Sequence, residues 1–229
     1  MSDSIRSRLD RVLARIDTAC ASAGRRPDDV RLMLAVKHRS VEDICLALEG
    51  LVAARRPLLI GQNHVQQARA SSEAVRERYP EVEIHLIGHL QTNKITQALA
   101  CVDAIDTLDS QRVCDKIASR LNTPLPVMVE VNVSEEDSKT GCPLDEARPL
   151  IERVLAEPHL SLRGLMTVGV LSENATARRA AFARLARLKD EFDPSLELSM
   201  GMSGDLAEAI AEGASIVRIG TDVFGPRPQ

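Results

Sequence analysis

A lysine ends the first short apolar segment of the chain. The run Arg31-Leu-Met-Leu-Ala-Val-Lys37 is nearly continuous in apolar residues, as is typical of a strand buried on both faces. A lysine in that place is unfavourable unless it reaches water or has a function. Because partial desolvation makes an amine a nucleophile for carbonyl compounds, Lys37 is the predicted nucleophile of a site.

Two glycine-containing loops near the C-terminus predict an anion site. The segment Leu198-Ser-Met-Gly-Met-Ser203-Gly204-Asp205 precedes a predicted helix, and Val217-Arg-Ile-Gly220-Thr221 again places a hydroxyl beside a glycine. Small residues let the backbone approach a ligand, and the free N–H groups at a helix start favour an anion. Either loop alone is also explained as a tight turn that requires glycine. Together they predict a clamp for one phosphate group.

A nucleophilic lysine and a phosphate clamp indicate an aldehyde that carries a phosphate. Pyridoxal 5′-phosphate (PLP) fits this description. Alternation along the last strand puts Arg218 on the same face as Gly220, so both side chains would face the ligand. A guanidinium at the pyridine nitrogen cannot accept its proton, which would leave the ring a weak electron sink. The alternative for Arg218 is an ion pair inside the protein.

Short apolar strands alternate with helices from residue 31 onward. Strands are predicted at 31–37, 57–61, 83–88, 102–107, 126–133, 161–168, 196–200 and 215–220. Helices are predicted after Ser40 and at about 64–79, 91–100, 110–122, 144–156, 174–191 and 204–212. Eight such units favour an α/β fold of the (β/α)₈ TIM-barrel type, with a doubly wound open sheet as the alternative. In a barrel, the loops after the seventh and eighth strands commonly hold phosphate, and the two glycine loops lie there.

Composition sets the broad class of protein. The 229-residue chain is 44% hydrophobic and 27% charged, which indicates one globular domain over residues 1–229. Within it, residues 2–24 predict an amphipathic helix that packs on the barrel. A net charge of −4 and 2% aromatic residues argue against nucleic-acid binding. No apolar stretch reaches the ~18 residues of a membrane span, and five scattered cysteines predict reduced thiols in the cytoplasm.

Several motifs occur in order along the chain. They are Leu34-Ala-Val-Lys37, Gly61-Gln-Asn63, Ile87-Gly-His-Leu-Gln-Thr-Asn-Lys94, Ile105-Asp106, Val131-Asn-Val-Ser134 with Lys139 and Gly141, Arg163-Gly-Leu-Met166, and the two glycine loops continuing to Phe224-Gly225. On these motifs the chain resembles the pyridoxal phosphate homeostasis protein family, which comprises single-domain relatives of the alanine racemase N-terminal barrel. The resemblance spans roughly residues 31–227.

The resemblance implies a site for PLP as cofactor. It implies a Schiff base on Lys37 and places Arg218 near the ring nitrogen. The remaining site residues that it implies are Asn63 and Met166, which line the site, and Ser203, Gly220 and Thr221, which hold the phosphate. We expect no metal site, because four residues of strand separate His85 from His89 by about 13 Å.

The implied function is intracellular PLP homeostasis without established catalysis. PLP-dependent apoenzymes are the implied protein partners. One alternative is a low-activity amino-acid racemase or related enzyme, and another is an interaction protein with a degenerate cofactor pocket. Alanine racemase has a second domain, which supplies a catalytic tyrosine across a dimer. This chain is too short to include such a domain beside the barrel. Because Tyr79 ends a predicted helix, we expect no second base for racemisation, and we expect a monomer.

Three residues near the first two strands depart from the family pattern. The lysine comes one residue early, and His38 occupies the usual lysine position. Since a one-residue slip reverses the face of a strand residue, either the strand is shortened and Lys37 still reaches the site, or the lysine is displaced. Gln62 stands for the usual glutamate and is expected to remove a carboxylate from the edge of the site. His64 stands for the usual aromatic residue.

Overall fold

Parallel strands close into a barrel in the computed structural model, which describes residues 4–134, 139–170 and 172–226. The barrel strands are β1 (Arg31–Ala35), β2 (Leu59–Gln62), β3 (Glu83–Leu86), β4 (Ala104–Leu108), β5 (Leu125–Asn132), β7 (Leu160–Met166), β8 (Glu197–Ser199) and β9 (Ile216–Ile219), and β6 (Cys142–Pro143) is a two-residue addition beside β5. β1 pairs with both β2 and β9, and β4 pairs with β5. The predicted eight-stranded barrel is therefore confirmed. The alternative of an open sheet is wrong, because pairing of β4 with β5 closes the sheet.

Helices surround the barrel in the described residues, and all but the last, a four-residue helix after the final strand, follow the order that the sequence predicts. They are α1 (Ile5–Ser22), α2 (Val41–Ala53), α3 (Val65–Arg78), α4 (Ile95–Leu99), α5 (Gln111–Ala118), α6 (Leu144–Leu155), α7 (Ala175–Phe192), α8 (Leu206–Ala211) and α9 (Thr221–Phe224). α2 begins where Ser40 accepts a hydrogen bond from the Asp43 N–H at 3.1 Å, as predicted from its cap residue. α4 is shorter than predicted because Thr92–Lys94 form a 3₁₀ turn. None of the helices in the described residues is both long and apolar enough to cross a membrane.

The N-terminal helix α1 lies across the barrel against α2, α8 and α9. Its buried face consists of Leu9, Val12, Leu13, Ile16, Ala19 and Cys20, which recur at helical spacing. Arg8 on the same helix donates from Nε to the carbonyl of Val223 in α9 at 2.7 Å. The predicted start of this helix at residue 2 lies outside the described residues. The observed contacts tie α1 to the end of the barrel that follows β8 and β9.

Apolar packing occurs in two layers. The larger layer fills the space between the strands and the helices and is mostly aliphatic. A smaller cluster lies inside the barrel and consists of Met33, Leu59, Met128, Met166 and Ile216, with Ile87 packed against it. The barrel interior is therefore a packed core and not a pore, as is general for this fold.

Four charged side chains close the amino-terminal end of the barrel. Arg31 pairs with Glu83 at 3.0 Å and with Glu197 at 2.7 Å. Arg163 pairs with the same two acids, and its Nε lies 2.6 Å from Glu197. Charges of opposite sign thus alternate around a closed ring, which fills this end of the barrel. A ligand cavity is left at the opposite end, where the strands terminate.

Candidate functional site

A cavity of about 550 Å³ lies at the carboxyl ends of the strands. The structure brings together there all of the site residues singled out from the sequence, which are Lys37, Asn63, Met166, Ser203, Arg218, Gly220 and Thr221. Other recesses on the outer surface are as large, including one of about 630 Å³ beside α1 and α8, but none of these seven residues lines it. Their convergence from five different strand ends makes this cavity the candidate site.

Lys37 reaches the cavity from a turn and not from a strand. β1 ends at Ala35, two residues earlier than predicted, and the N–H of Arg39 closes the turn on the carbonyl of Val36 at 3.2 Å. His38 adopts a left-handed backbone with φ +57°, which is uncommon outside glycine. Its Nδ1 lies 2.7 Å from Nε2 of Gln67, away from Lys37. The turn therefore absorbs the one-residue slip, so that Lys37 lines the cavity while His38 packs toward α3.

Arg218 is held rigidly on the inner face of β9. One terminal nitrogen donates to the carbonyl and the hydroxyl of Ser199 at 2.7 and 3.0 Å, and the other donates to the carbonyl of Thr167 at 2.8 Å. These acceptors are neutral, so the guanidinium is not held by a direct ion pair. Burial lowers the pKa of Arg218, which the negative charges of Asp106, Glu130 and Asp205 oppose. The result is a fixed guanidinium beneath the cavity.

Hydroxyls and small residues from two loops form one wall of the cavity. Ser203 and Gly204 follow β8, while Gly220 and Thr221 follow β9. A Cβ on Gly220 would lie 2.9 Å from the carbonyl oxygen of Ala35, so only glycine lets this loop approach β1. α8 begins at Leu206, two residues later than predicted, and spans six residues. Hydroxyls and loop N–H groups, more than a helix dipole, are thus the groups able to bind an anion here.

Gln62 does not lie at the edge of the site, contrary to the expectation from the sequence. Strand alternation turns Gly61 toward Met33 and Ile87 inside the barrel and therefore turns Gln62 outward. Its Nε2 donates to the hydroxyl of Ser71 on α3 at 3.0 Å. The substitution at this position consequently acts on the packing of α3 and not on the lining of the cavity.

His64 and His89 lie beside a neighbouring polar recess that also contains Asn63 and Lys94. The pKa of His64 is lowered by burial and by the positive charge of Lys37. Nδ1 of His89 lies 3.2 Å from Asp109, whereas His85 is fully buried against Asp106 at 2.9 Å. The two histidines of the H-x-x-x-H spacing thus have different partners. Asp106, one of the family-motif residues, orients His85 inside the barrel.

Several residues near the cavity were missed from the sequence. Glu130 on β5 and Asp205 before α8 are buried, and burial raises the pKa of both carboxyls. The hydroxyl of Thr140 donates to Glu130 at 2.5 Å, and the N–H of Met202 donates to Asp205 at 2.6 Å. Alternation along β5 could have indicated the inward position of Glu130. Asp222 also lines the cavity, and its place directly after Thr221 was the available signal.

The family model described as alanine racemase, N-terminal domain, matches residues 8–228. The fold and the site therefore define a barrel of the alanine racemase N-terminal class. The pyridoxal phosphate homeostasis protein of Vibrio cholerae is 35% identical over 233 residues, covering 98% of this chain and 97% of its own length. The chain belongs to the pyridoxal phosphate homeostasis protein family.

Solved structures agree with this assignment. An unknown protein from Bifidobacterium adolescentis superimposes with a TM-score of 0.91 at 36% identity, covering 96% of this chain and 94% of that chain. PipY of Synechococcus elongatus, whose structure was solved with PLP bound, has a TM-score of 0.75 at 30% identity. The match covers 92% of this chain and all of PipY. The family resemblance stated from the motifs is thereby confirmed.

Proposed function

We propose that this chain binds PLP in the barrel cavity and takes part in PLP homeostasis in the cytoplasm. One observation carries the proposal: a single cavity joins a lysine, two loops suited to an anion, and a rigid guanidinium. The PLP bound to PipY and the name of the Vibrio cholerae relative support the choice of ligand. The cysteines of the chain are buried and free, which supports a reducing compartment.

The residues present fit this cofactor. Ser203 and Thr221 would hold its phosphate with their hydroxyls, and Arg218 would face the pyridine nitrogen. Asn63 and Met166 would line the ring pocket. The amine of Lys37 would add to the aldehyde carbon, and loss of water would leave a C=N bond, the proposed Schiff base. Since this bond is reversed by water, the same lysine can bind the cofactor and release it.

Storage and delivery of the cofactor fit the site better than racemisation does. Two-base racemisation needs a second proton-transfer group on the opposite face of the substrate. The hydroxyl of Tyr79 instead donates to the carbonyl of Cys45 on α2 at 3.2 Å, outside the barrel. Arg218 donates hydrogen bonds to three neutral acceptors, and a guanidinium that faces the pyridine nitrogen would leave the ring unprotonated, a weak electron sink that does not favour the carbanion of racemisation. We propose a monomer that supplies PLP-dependent apoenzymes.

Borohydride trapping tests the proposal directly. The absorption spectrum of the protein with added PLP is recorded before and after reduction, and the labelled peptide is mapped. We expect a C=N band that reduction removes, with the label on Lys37, and loss of both in K37A. K116A is the matched control, because Lys116 lies on α5 and not in the cavity. A label on another lysine, or a K37A protein with the wild-type spectrum, contradicts the proposal and favours the degenerate pocket.

A further inference from the structure

An acidic side chain stands in the wall of the proposed phosphate site. Asp222 follows Thr221 directly and lines the same cavity. A carboxylate beside a phosphate is repulsive, and this repulsion would weaken binding unless a positive charge offset it. Asp222 has such a partner, since NH1 of Arg15 on α1 lies 2.5 Å from its Oδ2. The cation therefore comes from a helix that lies outside the eight β/α units.

The same arginine also contacts the other phosphate loop. NH2 of Arg15 donates to the carbonyl oxygen of Ser203 at 2.6 Å. Because a trans peptide is planar, a Ser203 carbonyl that points at Arg15 directs the N–H of Gly204 to the opposite side. That N–H has no acceptor within the part of the chain that the structure describes. Arg15 thus fixes the orientation of a backbone donor in one loop and pairs with the carboxylate of the other.

From these two contacts we infer that Arg15 is a positioning residue for the phosphate group and that α1 forms part of the phosphate site. The inference rests on the proposed function, because it assumes that the phosphate of PLP lies between the two loops. α1 is well fixed for this role, since Val12 and Ile16 are buried and Arg8 bonds to α9. Arg15 acts through Asp222 and Ser203 and need not touch the ligand.

Ligands with and without phosphate separate this role from a general effect on folding. Dissociation constants of PLP and of pyridoxal are measured by spectroscopic titration for wild type, R15A and R6A. Because the Arg15–Asp222 pair is partly exposed to solvent, we expect R15A to raise the Kd of PLP by roughly two- to fivefold and to leave that of pyridoxal unchanged. R6A is the matched control, because Arg6 is an exposed arginine of the same helix whose partner, Asp10, is also on α1. Its Kd values should equal those of the wild type.

A second substitution tests the electrostatic part of the argument. In R15A/D222N the uncompensated carboxylate is gone, so most of the lost affinity for PLP should return. An R15A protein that retains wild-type affinity for PLP overturns the role of Arg15, and so does one that loses PLP and pyridoxal equally. Wild-type protein that prefers PLP to pyridoxal supports the proposed function whatever R15A does. Wild-type protein without that preference removes the phosphate site and this inference together.

Discussion

Raising the pH from 7 to 9 should destabilise the protein through one buried histidine. His85 lies inside the barrel with Nδ1 at 2.9 Å from Asp106 and Nε2 at 2.9 Å from Glu83. The contact with Asp106 is a hydrogen bond. The contact with Glu83 is an ion pair whose geometry is not that of a hydrogen bond. Burial by itself would lower the pKa of His85, but the two carboxylates outweigh burial and raise it from 6.5 to about 9.

The size and sign of the effect follow from this shift. A histidine whose pKa is higher in the folded than in the unfolded protein stabilises the folded state. This stabilisation is complete below the ordinary pKa of 6.5 and is lost as the pH rises through the folded-state pKa of about 9. The linkage relation gives a loss of about 1 kcal/mol between pH 7 and 8 and about 2 kcal/mol by pH 9. Burial also raises the pKa of Cys142 to about 12, so thiols of the unfolded chain add to the loss once they ionise. The lower part of the pH range is therefore the informative one.

Urea unfolding between pH 6 and 9 measures the effect, with H85Q/D106N as the control. That variant replaces the histidine and its hydrogen-bonded carboxylate by neutral amides, and its stability should change little between pH 7 and 8. The imidazole signal of His85 in an NMR titration gives a second reading that needs no variant. A wild-type stability that is flat over this range, or a His85 signal that titrates at or below pH 6.5, would refute the reasoning.

Two substitutions test the geometry around the site. G220A should lower the free energy of unfolding by about 1–3 kcal/mol and weaken PLP binding, because the new methyl group would press on the carbonyl of Ala35. For stability, G204A is the matched control, because its methyl group would meet no protein atom within 4 Å, and an equal loss of unfolding free energy in both variants would contradict this explanation. Q62E should lower stability by about 1–3 kcal/mol in chemical denaturation, because it buries a carboxylate against Ser71. Its affinity for PLP should not change, and a weaker affinity would mean that position 62 does contribute to the cavity.

Much of the fold could be predicted from the sequence, because its signals are local. Each barrel strand is a short apolar run, each helix has apolar residues at helical spacing, and their alternation favours one architecture. The barrel then fixes where the strand ends meet, which is why Lys37, Arg218 and the two glycine loops could be assigned to one end. Resemblance to a family added Asn63 and Met166, whose residue types alone carry no signal for a ligand.

Element boundaries and side-chain directions depended on the tertiary structure. Lys37 reaches the cavity only because β1 ends at Ala35 and His38 adopts a left-handed conformation. That conformation is unfavourable for an isolated histidine, so neighbouring contacts must select it. Gln62 was assigned to the wrong face because a single strand pattern does not say which of its two faces meets the ligand.

Contacts between distant parts of the chain were beyond any local pattern. Arg31, Glu83, Arg163 and Glu197 are ordinary charged residues in sequence, and closure of the barrel makes them one ring. Arg15 and Asp222 are 207 residues apart and meet only because α1 packs against the helix that follows the last strand. A sequence encodes local periodicity in its neighbouring residues, whereas the pairing of distant charges is decided by the folded geometry that brings them within a few ångströms.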